Sequence, residues 1–430
     1  MTRCLVLLLA CLMCLSCGDS GDQRTPIHEQ WPSTLHPDPL DSAFEPAAEE
    51  DWVTYRADVY RSGQAPGATV GDRVMLAWHR PGFLRGDWTA VKPSGATWGD
   101  TLFYPDDMGT LYALNRFDGS ERWLAKMADV NPGIHGSPQI TSATACIGTY
   151  ATDAIHCFER ETGTQRWRFS VGTAVASAPL YVPEHDAFYT SHEDYDSSEK
   201  HGLGVVTKND PRTGEMLWIS KEIGDFPHSS VAVDPDRGIV VVGANDGILR
   251  AFDSESGRTL WERDFAPIGG LNDDIKATPA ISPSAGLVVI GTWDHRVYAV
   301  DIRTGEQRWQ FDTGGAMQGS PAIDEARGVV YQGTGSLGES VFALDLATGE
   351  KRWGVVAGWI QSSPAISGDG SRIVLGSNDQ HVYALNTADG SVAWRFKTDG
   401  AVNATPILVE DWVYVAARLG SLYALQSWTP

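Results

Sequence analysis

The chain has 430 residues, 42% of them hydrophobic and 20% charged, an ordinary globular composition that excludes a largely disordered polypeptide. With 33 Lys and Arg against 55 Asp and Glu the formal net charge is −22. A phosphate backbone would repel so acidic a chain, and no run of Lys and Arg supplies a local basic patch, so nucleic acid is excluded as a partner.

The chain opens with one positive charge in Met1-Thr2-Arg3, and Cys4 to Ser16 is apolar up to its last residue. That run is too short to span a bilayer and fits the hydrophobic region of a signal peptide. Leu15-Ser16-Cys17-Gly18 resembles a bacterial lipobox with Cys17 as the lipidated residue, although Cys14 stands where that pattern prefers Leu. Ordinary signal-peptidase cleavage is the alternative. Gly18, in place of an Asp that would resemble an inner-membrane retention signal, favours the outer membrane. Gly18 to Glu50 is polar, carries Pro26, Pro32, Pro37, Pro39 and Pro46, and reads as an extended tether. The domain reading is therefore a signal peptide over 1–17, a tether over 18–50 and a single body over 51–430.

The body is one repeat. A turn-Gly followed four residues later by Trp recurs as Gly119/Trp123, Gly163/Trp167, Gly214/Trp218, Gly257/Trp261, Gly305/Trp309, Gly349/Trp353 and Gly390/Trp394. The Gly permits a positive φ at a hairpin turn, which a β-carbon resists. Upstream of each turn lies a strand such as Tyr112-Ala-Leu-Asn115 or Tyr298-Ala-Val-Asp301, before it a β-rich run such as Ile239–Gly243, and between those two a tight turn such as Asn245-Asp-Gly247. A Ser/Thr-Pro-Ala-Ile segment opens most units, as in Thr278–Ile281, Ser320–Ile323 and Ser363–Ile366. Each unit thus predicts four short antiparallel strands, A to D. From Trp78 onward the Trp-to-Trp intervals are 45, 44, 51, 43, 48, 44 and 41 residues, the period of propeller blades. A solenoid would need polar capping repeats, and neither end of the body reads as one. The last unit, Asn403 to Gln426, has no D-strand Trp after it, whereas Val74-Met-Leu-Ala-Trp78-His79 has a D strand's look without a blade of its own. The prediction is an all-β, eight-bladed β-propeller of four-stranded antiparallel blades, closed by an N-terminal strand that completes the last blade and removes free sheet edges.

The Tyr-Ala-Leu-Asp…Thr-Gly-Glu…Trp unit resembles the pyrroloquinoline-quinone (PQQ) repeat, and Asp51–Gly63 is similar to the entry segment common in that family. The resemblance covers about residues 51–430. It implies a propeller. The family holds both PQQ-dependent dehydrogenases and non-enzymatic lipoproteins, including BamB-type scaffolds of outer-membrane β-barrel assembly. The dehydrogenases typically carry adjacent cysteines beside the cofactor, and this chain has no Cys-Cys pair; it has no Cys-x-x-Cys-His haem site either. A Glu/Asn/Asp calcium set cannot be assigned to matching positions. The expectation is a lipid-anchored, monomeric, non-enzymatic scaffold with an envelope protein as partner and no cofactor. The alternative is a quinoprotein dehydrogenase or PQQ-binding protein using PQQ with calcium.

Three features are candidates for chemistry. Three residues before the Pro of strand A, where the channel mouth is expected, the column reads Ala90, His135, Ala176, His228, Lys276, Gln318, Gln361 and Asn403. Its six polar members form a candidate ligand-binding ring, with Lys276 able to hold an anion and the histidines pH-sensitive; a water-filled lining is the alternative. His192 to His201 reads as an acidic insertion loop in blade three, on the face where Trp293 and Trp359 are candidate interface anchors. Cys146 and Cys157, on strands B and C of blade two, are placed for a cross-strand disulfide, the alternative being two buried thiols.

Overall fold

A computed structural model of the full chain describes residues 44–48, 50–86, 93–127, 133–150, 154–170, 174–196, 201–265 and 274–430, with backbone only at 194–196 and 201–202. The signal peptide, Cys17 and most of the tether lie outside the described residues. Every strand among the described residues falls into one of eight sheets, each with four antiparallel strands; they are consecutive in blades one to seven, and Gln64–Ala65 adds a parallel fifth strand to blade seven. Blade one runs from Ala96–Trp98 to Glu121–Lys126, and the succession continues to blade seven, Ala365–Ser367 to Val392–Lys397. Blade eight takes strands A to C from Ile407–Val409, Trp412–Ala417 and Ser421–Trp428, and its D strand is Arg73–Arg80, antiparallel to Ser421–Trp428 with Met75 opposite Gln426 and Trp78 opposite Ala424. The two ends of the body therefore meet in one sheet, as the repeat count predicts.

Each blade is stapled to the next by its Trp. The indole N–H of Trp78, Trp123, Trp167, Trp218, Trp261, Trp309, Trp353 and Trp394 donates to a main-chain carbonyl beside the outer edge of the following blade, at 2.8–3.2 Å. The seven turn glycines have φ of 68–74°. A second constraint is invisible in the sequence: a β-carbon at any of them would meet the preceding blade's indole at 2.6–2.9 Å. Gly and Trp are thus two halves of one interblade contact. Trp309→Ala should cost about 3–5 kcal/mol through lost burial, a cavity and the orphaned carbonyl of Leu346. An unchanged urea midpoint would contradict the staple.

The A strands of neighbouring blades face one another around the axis. The Ser or Thr preceding the Pro links them, because its main-chain N–H donates to the hydroxyl of its counterpart one blade on: Ser94 to Ser137, Ser230 to Thr278, Thr278 to Ser320, Ser320 to Ser363 and Ser363 to Thr405, at 2.9–3.3 Å. The chain of hydroxyls is interrupted at blade three, which has Ala178 there.

The axis is not a through-channel. Trp52–Gly63 crosses it as a plug, and its carbonyls accept the N–H of strand A in six blades: Trp52 from Thr97, Val53 from Ile140, Val59 from Val233, Tyr60 from Ile281, Ser62 from Ile323 and Gly63 from Ile366. Four of those donors are the Ile of the Pro-x-Ile segment (Ile140, Ile281, Ile323 and Ile366), so that motif is the socket for the plug. Arg56 and Arg61, both fully buried, return the contact. Arg56 donates to the carbonyls of Pro321 (2.7 Å) and Pro364, and Arg61 to Val231 (2.9 Å) and Ala178 (3.4 Å). Burial lowers the Arg61 pKa to about 9 and that of Arg56 to about 10. The tether reading is shortened at its end: Phe44 packs edge-on to Tyr181 at 5.1 Å and the Glu45 N–H donates to the Ser142 hydroxyl.

Candidate functional site

With one end plugged, the axis is a cup. The Tyr55 hydroxyl lies 3.2 Å from the Ser320 hydroxyl and 3.1 Å from that of Ser363. At the opposite mouth, on the face carrying the B–C turns and D–A connectors, stand the polar residues of the predicted column. Small residues separate the two levels, and they are small by necessity: a β-carbon at Gly136 would lie 2.3 Å from the Ser177 carbonyl oxygen, and one at Gly319 lies 2.4 Å from that of Ser362.

The mouth divides into two arcs. Along blades six to eight four side-chain amides join in sequence. Gln361 donates to Gln318 at 2.8 Å and accepts from Asn403 at 2.7 Å and from Asn378 at 3.2 Å. The side-chain carbonyls of Asn378 and Asn403 are buried and have no donor. Along blades two to five the groups are charged and paired. His228 lies 2.6 Å from the buried carboxylate of Glu193. Lys276 lies 3.1 Å from Asp274 and 3.8 Å above the centre of the Trp293 ring. His135 stacks on Tyr150 with centroids 4.6 Å apart.

Several expectations change here. Lys276 is already neutralised by Asp274, so an incoming anion would have to displace a carboxylate. In blade one, Ser94 aligns with Ser137, and Thr97, bonded to Trp52, aligns with Ile140. That register makes Gly95 the counterpart of the Pro; Ala90, the blade-one entry of the column, lies outside the described residues. The predicted insertion loop is largely a long hairpin, Ala187–Asp196 paired with His201–Asn209, and His192 and Glu193 are buried within it. Burial lowers the His192 pKa to about 3. Asn378 was not anticipated, and Asp274 and Glu193 were read only as acidic residues of the loop face, not as partners of the column. All three lie outside the column counted from Pro, and only a register derived from coordinates brings them beside it.

Cys146 and Cys157 stand directly opposite on strands B and C and are linked by a disulfide, with Cα atoms 4.1 Å apart. They are adjacent across the sheet and not along the chain. Among the described residues no three His, Cys, Asp or Glu side chains converge in a way that could hold a metal ion.

Exposed apolar side chains gather on the same face as the mouth. Leu337 is 95% exposed, Val356 69% and Trp359 49%, all on the blade-six B–C loop and the connector leaving that blade; Leu419, on the blade-eight B–C turn, is 67% exposed. The Trp359 indole sits against Gly335, where a β-carbon would meet it at 2.8 Å. Trp293 is partly covered by Lys276.

A family profile described as outer membrane protein assembly factor BamB matches residues 107–281, 245–358 and 337–429. The assembly factor BamB of Yersinia pestis is 25% identical over 205 residues, which are 45% of this chain and 48% of that protein. The chain thus matches about half the length of this relative. The crystal structure of BamB from Moraxella catarrhalis superposes with a TM-score of 0.63 at 18% identity, covering 82% of this chain and all of that one (100%). A europium-containing methanol dehydrogenase superposes with a TM-score of 0.73 at 13% identity over 88% of this chain and 98% of its own. At such identities the two superpositions speak for the fold alone.

Proposed function

The chain belongs to the family described as outer membrane protein assembly factor BamB, and from that premise we propose that it is a non-enzymatic scaffold of the cell envelope that binds a protein partner through its loop face. It is exported, anchored to the outer membrane by a lipid on Cys17, and acts as a single propeller in outer-membrane protein assembly. The observation that carries this reading is the apolar group formed by Leu337, Val356 and Trp359, held on a ring whose blades are stapled and whose axis is plugged. Exposed aliphatic and aromatic side chains on a rigid frame can bury area on docking with little loss of conformational entropy.

The test is a photo-crosslinking residue placed at Leu337 in growing cells, with membrane fractionation of wild type and Cys17→Ala. The expected result is a cross-link to one envelope protein, reduced about tenfold by Val356→Asp, and release of Cys17→Ala from the outer membrane fraction. A cross-link insensitive to Val356→Asp would refute the docking face, and unchanged fractionation would refute the anchor. The second reading, a PQQ-dependent dehydrogenase, rests on the fold shared with the methanol dehydrogenase. Dye reduction after mixing the purified protein with PQQ and Ca²⁺ would establish it in place of the scaffold.

A further inference from the structure

The cup at the axis has chemistry of its own, separate from the apolar docking group. On its charged arc Lys276 lies 3.1 Å from Asp274 and His228 lies 2.6 Å from Glu193. An anion arriving at Lys276 would therefore compete with a carboxylate already in place. Its other arc is uncharged. Four amides joined through Gln361 occupy most of one another's capacity, yet they leave a defined remainder. The side-chain carbonyls of Asn378 and Asn403 are buried acceptors with no donor among the described residues, and Gln318, exposed at the end of the chain, accepts through its carbonyl and keeps its amide N–H groups available. Below them the Tyr55, Ser320 and Ser363 hydroxyls add groups that both give and accept.

A buried acceptor without a donor costs on folding and is kept where something supplies the proton. We infer that the amide arc of Gln318, Gln361, Asn378 and Asn403 is a binding site for a neutral saccharide, whose hydroxyls donate to the two orphaned carbonyls and accept from Gln318. A sugar hydroxyl does both at once, which suits a surface where donors and acceptors alternate within a few ångströms. A carboxylate cannot donate, and an ammonium group cannot accept. The Trp52–Gly63 plug lies across the axis and gives the site a floor.

Saturation-transfer NMR and calorimetry on the intact protein test this with N-acetylglucosamine, chitotriose, glucose and maltotriose, and with acetate and lysine as charged probes, each up to about 10 mM, the range of weak specific binding. The expected result is transfer to at least one saccharide. Its affinity falls about tenfold or more in Gln361→Leu, the equivalent of about 1.4 kcal/mol, and stays within about twofold in Lys276→Met. Thermal melts of both variants establish that the ring is intact. No transfer from any saccharide overturns the proposal, as does equal binding by Gln361→Leu or a preference for acetate that Lys276→Met abolishes. Val356→Asp leaves saccharide binding untouched, so the outcome is independent of the docking face.

Discussion

Arg61→Ala is expected to lower the unfolding free energy by roughly 3–5 kcal/mol, more than any change at an exposed cation. The side chain is fully buried and no ion pair reaches it; its charge is balanced by oxygen lone pairs from four places, the carbonyls of Tyr55, Val231 and Ala178 and the hydroxyl of Thr54. Removing it leaves those buried acceptors unsatisfied and opens a cavity where several blades converge. Lys at this position restores the charge but not the planar fork, so Arg61→Lys should recover only part of the loss. Arg308, whose partner Asp301 lies 2.7 Å away on the surface, is the control, and Arg308→Ala should leave the urea midpoint in place. If Arg61→Ala shifted the midpoint no further than Arg308→Ala, the plug would be an ornament on a ring already stable by itself. The same segment shows that the ring is built around it. Arg56, Ala57 and Arg61 all take positive φ values, 65°, 71° and 58°, a conformation that side chains with a β-carbon adopt only when their surroundings impose it.

The ring was legible in the sequence because its determinants are local and repeated. Gly and Trp four residues apart, a Tyr-Ala-Leu strand and an Asn-Asp-Gly turn each have a short-range physical cause, and seven copies make chance untenable. The closure was legible for a related reason: Trp78 lacked a blade and the last blade lacked a Trp. The plug was not. Asp51–Gly63 could be matched to a family pattern, but its role rests on hydrogen bonds to residues up to 308 positions away, such as that from Arg56 to the Pro364 carbonyl, and no periodicity encodes them. The polar column was half legible. Counting from the Pro identified Gln318, Gln361 and Asn403, which the structure does bring together. The same count failed in blade one, where Gly95 replaces the Pro. It also could not show that Lys276 and His228 are already paired, because Asp274 and Glu193 reach them from a connector and from a neighbouring blade. A hairpin of acidic composition likewise reads as a loop until its alternate side chains are found in the core, as His192 and Glu193 are.

Acid unfolding should begin well above the carboxylate range, and the cause is two buried imidazoles. His156 and His192 both have pKa values lowered to about 3, His156 by burial and then by the charge of Arg168, His192 by burial alone. Arg168 sits opposite His156 on the neighbouring strand, Gln165 approaches its Nδ1 at 3.3 Å, and His192 reaches the Thr207 hydroxyl at 2.8 Å, so the side chains that meet these rings are neutral or cationic. In the unfolded chain each histidine takes up a proton near pH 6.5, whereas in the folded protein it resists until about pH 3. Between those limits the unfolded state binds more protons, so stability is fully present above pH 6.5 and falls as the pH drops, by on the order of 4 kcal/mol per histidine at the acid end. Asp58 and Asp106 act with the opposite sign, because burial raises their pKa values and the folded state takes up protons first on acidification. They offset part of the histidine slope, and replacing both imidazoles isolates the imidazole share. Urea midpoints measured from pH 7 to pH 4 should therefore decline from about pH 6.5 downward in the wild type. In a His156→Leu, His192→Leu double variant the curve should stay flat until the carboxylates titrate, whatever its starting height. A wild-type curve already flat down to pH 4.5 would mean that water or a rearranged hairpin lets both rings protonate in the folded state.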